Sequence, residues 1–229
     1  MSKYSELVYM VLDEVKGMSD DFSFTEDHVI FLLDKTRAFL LKQRYSDIKK
    51  QIPESNYQTL ELDLIQVPAI SGEPCEGGVY LRSKEKIPFL MQIGAPRVYP
   101  TDYYQGDITY VSRDRMRYVG NNKYLQNIIY CSINPDGYLY FKSSNPQFLY
   151  LDSVRFTGIF QDSKEAAKLG LDRENTNCSI LESYFPIEDA LVPPLIEFVV
   201  KELLGSSYRP SDDKNDADDS LEGLAIKTK

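Results

Sequence analysis

The fold of this chain is decided by the stretch Tyr57-Gln-Thr-Leu-Glu-Leu-Asp-Leu-Ile-Gln-Val67, because the spacing of the apolar residues changes there. Within it Leu60, Leu62 and Leu64 alternate with polar residues, which is the two-residue period of a half-buried strand. Before this stretch the apolar residues recur at helical spacing, and after it short apolar runs are separated by turns. The sequence therefore predicts an α+β fold with an N-terminal helical hairpin, a central antiparallel β-rich region, and a C-terminal helix with an extended tail.

Two amphipathic helices are predicted before this strand. The first runs from Tyr4 to Lys16, with Leu7, Val8, Val11, Leu12 and Val15 on one face. Thr25 is placed to cap the second, whose apolar stripe consists of Val29, Leu32, Leu33, Thr36, Phe39 and Leu40. Because only a short link joins them, the two helices are predicted to pack as an antiparallel hairpin over residues 1–53.

Short strands are predicted across residues 54–162. The candidate runs are 79–82, 87–93, 108–119, 128–133, 138–142 and 149–160. The clearest local signal is the turn Asn134-Pro-Asp-Gly137, where proline sets φ and glycine takes the left-handed position. The runs on its two sides are therefore predicted to pair as a β-hairpin.

Helical spacing returns in the last part of the chain. Residues 163–205 are predicted to form a return segment and a helix that packs on the N-terminal hairpin. That helix follows Pro193 and Pro194 and is apolar on most of its circumference, so it should be buried on two sides. Residues 206–229 are rich in Asp, Ser and Asn and are predicted to be an acidic extended or disordered tail.

The composition disfavours several classes of protein. A net charge of -9 disfavours broad, sequence-independent binding of DNA. Cys75, Cys131 and Cys178 are odd in number and far apart, which is typical of a chain that stays reduced. The longest apolar runs are too short for a transmembrane helix, so no membrane association is predicted.

No catalytic or cofactor-binding pattern is present in the sequence. The one histidine, His28, would have to serve any Ser-His-Asp or Cys-His site, and an ordinary position on a helix surface is the favoured interpretation. Zinc-ligand spacings, a Walker lysine motif and a G-x-G-x-x-G turn are missing. The sequence is therefore predicted to encode a protein that is not an enzyme and needs no cofactor or metal.

One charged stretch, Ser112-Arg-Asp-Arg-Met-Arg-Tyr118, suits a binding surface. If it is a strand, Arg113, Arg115 and Arg117 project from the same face. Three interpretations stay open: a solvated face that protects a sheet edge, contact with the acidic surface of a partner, or a lining for a channel that carries DNA.

Two regions of the chain together resemble a known family. The first region runs from Asp21-Phe-Ser-Phe-Thr-Glu-Asp-His-Val29 through Arg37-Ala-Phe-Leu-Leu-Lys-Gln-Arg44 to Asn56–Leu62. The second is Ile187–Leu204, followed by Pro210-Ser-Asp-Asp-Lys-Asn-Asp216. This layout resembles the virion structural proteins of crAss-like and podovirus-type tailed phages, of the head–tail connector or neck-ring kind.

The resemblance implies a subunit of a ring of identical copies, twelvefold in the expected case. Such a ring would attach to the portal protein and to other neck or tail proteins, and double-stranded DNA would pass through it without sequence-specific binding. The expected location is the virion neck or tail region, after assembly in the host cytoplasm. A C-terminal arm that docks on a partner is also implied, with candidate residues Tyr208, Arg209, Pro210, Asp212, Asp213 and Asp216. Two alternatives stay open: another virion component such as a tail-tube or tail-completion protein, or a small ligand-binding or hydrolytic protein.

Overall fold

The structure is a computed structural model, and it describes residues 2–18, 24–47, 50–68, 79–101, 108–119, 123–125, 127–170 and 180–206. Its helices are α1 (Tyr4–Met18), α2 (Glu26–Arg44), α3 (Arg113–Met116), α4 (Ser163–Lys168) and α5 (Val192–Ser206). Its strands are β1 (Gln58–Pro68), β2 (Val79–Ser83), β3 (Arg97–Pro100), β4 (Ile108–Tyr110), β5 (Ile129–Ile133), β6 (Leu139–Lys142) and β7 (Ser153–Gly158). Long helices at both ends and a strand-rich centre confirm the predicted α+β class.

Helices α1, α2 and α5 form one layer around an apolar core. Helix α5 contacts both of the others, and its Leu195, Val199 and Leu203 are fully buried because their four-residue spacing puts them on one face. Pro193 and Pro194 lie in its first turn, where a missing N–H costs no helical hydrogen bond. Apolar packing between the three helices therefore holds this layer together.

The seven strands form a sheet in the order β3-β7-β1-β2-β6-β5-β4. Neighbouring strands are antiparallel except β4 and β5. The two ends of this order also approach each other, and the ring of Tyr110 on β4 lies 6.2 Å from that of Phe156 on β7. The sheet is therefore strongly curled, and its apolar side chains share one enclosed core.

The decisive stretch at 57–67 lies in the middle of this sheet. The first half of β1 pairs with β7 and its second half pairs with β2, both antiparallel. Leu60 and Leu62 are buried, as their alternation with polar residues predicts. The predicted hairpin is also confirmed: β5 pairs with β6 around Gly137, which has a φ of +84°, and the Gly137 N–H donates to the Asn134 carbonyl at 2.9 Å.

Several strand predictions were wrong in extent. Residues 87–93 form no strand, and only Leu90 makes an isolated bridge, to Phe160. The run 108–119 is a strand only over β4, and the run 149–160 only over β7. Strand β3 was not predicted, because its four residues include a proline and lie next to Gly94-Ala-Pro96. The tail predicted at 206–229 lies outside the described residues apart from Ser206, and the segment boundaries at 53, 162 and 205 remain predictions.

Candidate functional site

A fully buried arginine joins the helical layer to the sheet. Arg37 on α2 donates from Nε to the Pro186 carbonyl at 2.6 Å and from Nη1 to the Phe160 carbonyl at 2.8 Å. Its Nη2 donates to the Asn56 carbonyl at 3.3 Å. The planar guanidinium suits this task because it presents several N–H groups in fixed directions. One side chain therefore fixes three separate segments of the chain against α2.

A second set of polar contacts extends this junction toward the end of α2. The Glu188 N–H donates to Oδ1 of Asn56 at 2.9 Å. The Tyr45 hydroxyl donates to Oε2 of Glu188 at 2.9 Å, and Nε of Arg44 lies 2.8 Å from Oε1 of the same carboxylate. Glu188 is almost fully buried, so these partners offset much of the cost of removing its charge from water.

A third cluster contains Asp34, Ser163 and Tyr4. The Ser163 hydroxyl donates to Oδ1 of Asp34, and the Tyr4 hydroxyl lies 2.5 Å from the Ser163 Oγ. Burial raises the pKa of the Tyr4 phenol, and the negative charge of Asp34 raises it further. A serine next to a carboxylate resembles part of a hydrolytic site, but Ser163 is fully buried and a substrate has no access to its hydroxyl. The cluster therefore ties α1 and α2 to the start of α4.

Burial also raises the pKa of Asp34 from its ordinary 3.8 to about 6, against the opposing effects of the Ser163 hydrogen bond and the Arg37 charge. Because the pKa in the folded state exceeds that in the unfolded chain, the folded protein binds more protons between about pH 4 and 6. Stability contributed by protonated Asp34 is therefore present at the acidic end and is lost as the pH rises through this window.

His28 takes no part in these clusters. It is exposed in the first turn of α2, and its ring stacks on Phe24 with a centroid distance of 6.2 Å. Cys131 is fully buried on β5, and burial raises the pKa of its thiol, which disfavours the reactive thiolate. Cys75 and Cys178 lie outside the described residues. Across the described ranges, no group of three or more His, Cys, Asp or Glu side chains is placed to hold a metal ion.

A groove lies on the surface beside α2, and we call it the α2 groove. It has a volume of about 1100 Å³ and lies between one face of α2 and the segment 89–95. Phe39 and Phe89 line it with 58% and 70% of their surfaces exposed. A smaller hollow of about 530 Å³ adjoins it and shares Lys35, Phe89 and Gln161.

Further aromatic rings extend this surface. Phe31 on α2 is half exposed and lies under the Lys35 ammonium, 4.2 Å from the ring centroid. Phe198 on α5 is also half exposed and meets Phe39 edge to face at 6.4 Å. Isolated exposed aromatics are ordinary, whereas several exposed aromatics beside a groove are typical of an interaction surface.

The arginine ladder predicted at 113–117 does not form. Residues 113–116 are the short helix α3, and Arg117 keeps helical backbone angles. The Met116 N–H donates to the Ser112 carbonyl at 3.1 Å, and Met116 is buried while α3 packs on β5. A strand would have placed Asp114 on the same inner face as Met116, whereas a helical turn buries Met116 alone.

The three arginines nevertheless remain on the surface. Arg113 and Arg117 lie one helical turn apart, and Arg115 projects elsewhere on the same turn. All three are exposed, as are the neighbouring Tyr118 and Tyr124, at 80% and 82%. We call residues 113–118 the α3 turn. Arginine and tyrosine are enriched in the contacts that dominate protein interfaces.

Comparison with known proteins identifies the family. The profile of a family described as Phage tail ring protein 2 matches residues 6–221. The chain belongs to this family. It is also 68% identical over 219 residues to Ring protein 2 of Bacteroides phage crAss001, across 95% of this chain and 97% of that protein. The resemblance to ring proteins of crAss-like phages is therefore confirmed.

Membership of the ring protein family makes the chain a structural ring protein of a phage virion, and it implies a structural rather than an enzymatic role. Among the described residues, no helix is both long and apolar enough to cross a bilayer. The candidate tail residues from Tyr208 to Asp216 lie outside the described residues. The sequence did not predict the α2 groove. Phe39 fits the apolar stripe of a helix and Phe89 lies in a strand-like run, so both rings were expected to pack inside the fold.

Proposed function

We propose that the chain is a subunit of a head–tail connector, or neck, ring that joins the portal to the tail around a channel for DNA. The observation that carries the proposal is the presence of two unlike exposed surfaces on one subunit of a ring protein family. The α2 groove is concave and is lined by phenylalanine and lysine, whereas the α3 turn is a short helical turn that exposes three arginines and Tyr118.

Two unlike surfaces suit a closed ring. Each subunit of such a ring meets its neighbours through two different patches, one on each side. The α3 turn, with Arg113, Arg115 and Arg117, is a candidate for an inter-subunit contact or a face toward the channel. The candidate arm residues Tyr208 to Asp216 would add a contact with a neighbouring copy or partner. A net charge of -9 suits a channel that must release DNA, because like charges repel.

Native mass spectrometry of the full chain tests this proposal, first alone and then with the portal protein of the same phage. We expect a closed ring, twelvefold in the simplest case, either alone or on the portal, and electron microscopy of the same samples would give its symmetry. A chain that stays monomeric in both samples would contradict the connector role.

A second candidate is a ring at another position in the tail, such as a tail-tube or tail-completion protein. The word tail in the family description, Phage tail ring protein 2, supports this candidate. Antibody labelling of intact virions separates the two candidates. Label at the junction of head and tail supports the connector, and label only farther along the tail supports the alternative.

A further inference from the structure

The α2 groove combines aromatic rings with local positive charge. Among the described residues, Lys35, Lys42 and Lys50 line it together with a single carboxylate, Asp47. This is a local departure from the chain as a whole, which carries 35 acidic and 26 basic residues. A segment that fits the groove should therefore bring carboxylates for the lysines and apolar side chains for the rings.

The aromatic wall of the groove is held by backbone hydrogen bonds. The Gln161 N–H donates to the Phe89 carbonyl at 2.9 Å, and the Met91 N–H donates to the Ile159 carbonyl at 2.8 Å. The Phe89 ring is thus exposed on a backbone that is already hydrogen-bonded at Phe89 and at Met91. The groove itself therefore needs little ordering when a segment binds, which favours affinity.

A segment with the matching chemistry exists in the same chain. Residues 212–222 contain six carboxylates and only one basic residue, Lys214. Three larger apolar residues, Leu221, Leu224 and Ile226, come at the end of this acidic run and just beyond it. The order of acidic and apolar residues fits a groove with lysines along and just beyond α2 and with exposed phenylalanines in its lining.

The segment also has the reach that such a contact needs. It follows α5, which packs on α2 and places Phe198 against Phe39. The 23 residues from 207 to 229 span at most about 80 Å when fully extended. A folded unit of this size has a radius of gyration of roughly 17 Å, so the segment can cross from one subunit to the next.

We propose that the α2 groove of one subunit binds residues 212–226 of a neighbouring copy, with the carboxylates on the lysines and the apolar residues on Phe39 and Phe89. The inference rests on the proposed ring, because the ring supplies the neighbour. The groove and the acidic segment would then form a contact that repeats from subunit to subunit.

Site-specific photo-cross-linking tests this contact in the full-length chain. Phe89 is replaced by p-benzoylphenylalanine, and equal amounts of ¹⁴N- and ¹⁵N-labelled chains are mixed before assembly. We expect cross-links from position 89 to residues 212–226, with mixed-isotope pairs that demonstrate contact between copies. The same photo-reactive residue at Tyr150, which is 81% exposed and outside the groove, should give none. Cross-links confined to same-isotope pairs, or to other segments, would overturn the proposal.

A charge exchange tests the electrostatic part. The double variant Lys35→Glu, Lys42→Glu should reduce the yield of these cross-links by about tenfold or more. Adding Asp213→Lys and Asp216→Lys to the same chain should restore most of it, while Lys84→Glu, at an exposed lysine outside the groove, should change nothing. Failure of the exchange to restore cross-linking would overturn the pairing.

Portal binding is measured on the same assemblies, so the two proposals fail separately. Mixed-isotope cross-links in rings that do not bind the portal would overturn the connector role and leave the groove contact supported. Portal-bound rings without cross-links from position 89 to residues 212–226 would overturn the groove contact alone.

Discussion

Replacing Arg37 with methionine should destabilise the folded chain by about 3–5 kcal/mol, because three buried carbonyl groups lose their donor together. These are the carbonyls of Asn56, Phe160 and Pro186, at 3.3, 2.8 and 2.6 Å. Each unsatisfied carbonyl alone costs about 1–3 kcal/mol. The substitution also removes a charge that burial disfavours, since burial lowers the pKa of Arg37 to about 10, and this gain keeps the net loss below the simple sum.

The loss is measured by urea unfolding of the purified chain, followed by far-ultraviolet circular dichroism because the sequence has no tryptophan. Arg113→Met is the control, since Arg113 is exposed on α3 and lies outside the junction. We expect the control to lose less than about 0.5 kcal/mol. If Arg37→Met lost no more than Arg113→Met, the buried guanidinium would not hold its three segments against α2.

The raised pKa of Asp34 predicts that the unfolding free energy of the natural chain falls by about 2 to 3 kcal/mol between pH 4 and 7, and Asp34→Asn should remove this fall. Urea unfolding across that range measures it, and an unchanged slope in the variant would contradict the raised pKa. Gly94→Ala should lower the unfolding free energy by about 1–2 kcal/mol, because φ of Gly94 is +72° and a Cβ there would lie 2.5 Å from the Tyr57 hydroxyl. Gly17→Ala in α1, where a Cβ meets no atom within 4 Å, should be neutral or stabilising. Equal melting temperatures of the two variants would contradict this prediction. Arg115→Glu should weaken ring assembly in native mass spectrometry while changing the unfolding free energy by less than about 0.5 kcal/mol. Lys84→Glu, at an exposed lysine outside the α3 turn, is the control. Equal effects of the two variants on assembly would remove the α3 turn from the interface.

The fold was most predictable where a local rule had one physical solution. The alternation around Leu60 and Leu62 allows a strand to bury one face, and the glycine at 137 takes a φ that other residues rarely adopt. These two features determined the centre of the sheet and one of its hairpins. The order of the seven strands was not predictable, because it depends on pairings between distant segments.

The arginine stretch shows where a pattern of period two fails. Alternating charges at 113, 115 and 117 fit a strand, but only one residue of the segment, Met116, is buried. Ser112 in extended conformation can start a helix, and arginine and methionine are good helix formers. Where a single side chain is buried, the period of the others carries no information about the backbone.

The buried junction left a signal in the sequence. Ile30, Asp34, Arg37 and Leu41 recur at spacings of four, three and four, so both charged residues lie on the apolar face of α2. A charged pair on that face indicates buried partners elsewhere in the chain. Those partners are carbonyls of distant segments, which no local pattern identifies.

We propose that this ring protein forms a closed ring at the junction of head and tail, and a cryo-electron microscopy reconstruction of the intact virion tests this proposal. We expect a ring of identical copies between the portal and the tail, with neighbouring copies in contact through the α2 groove and the α3 turn. A reconstruction that places the chain elsewhere in the particle, or in a form without a closed ring, would contradict it.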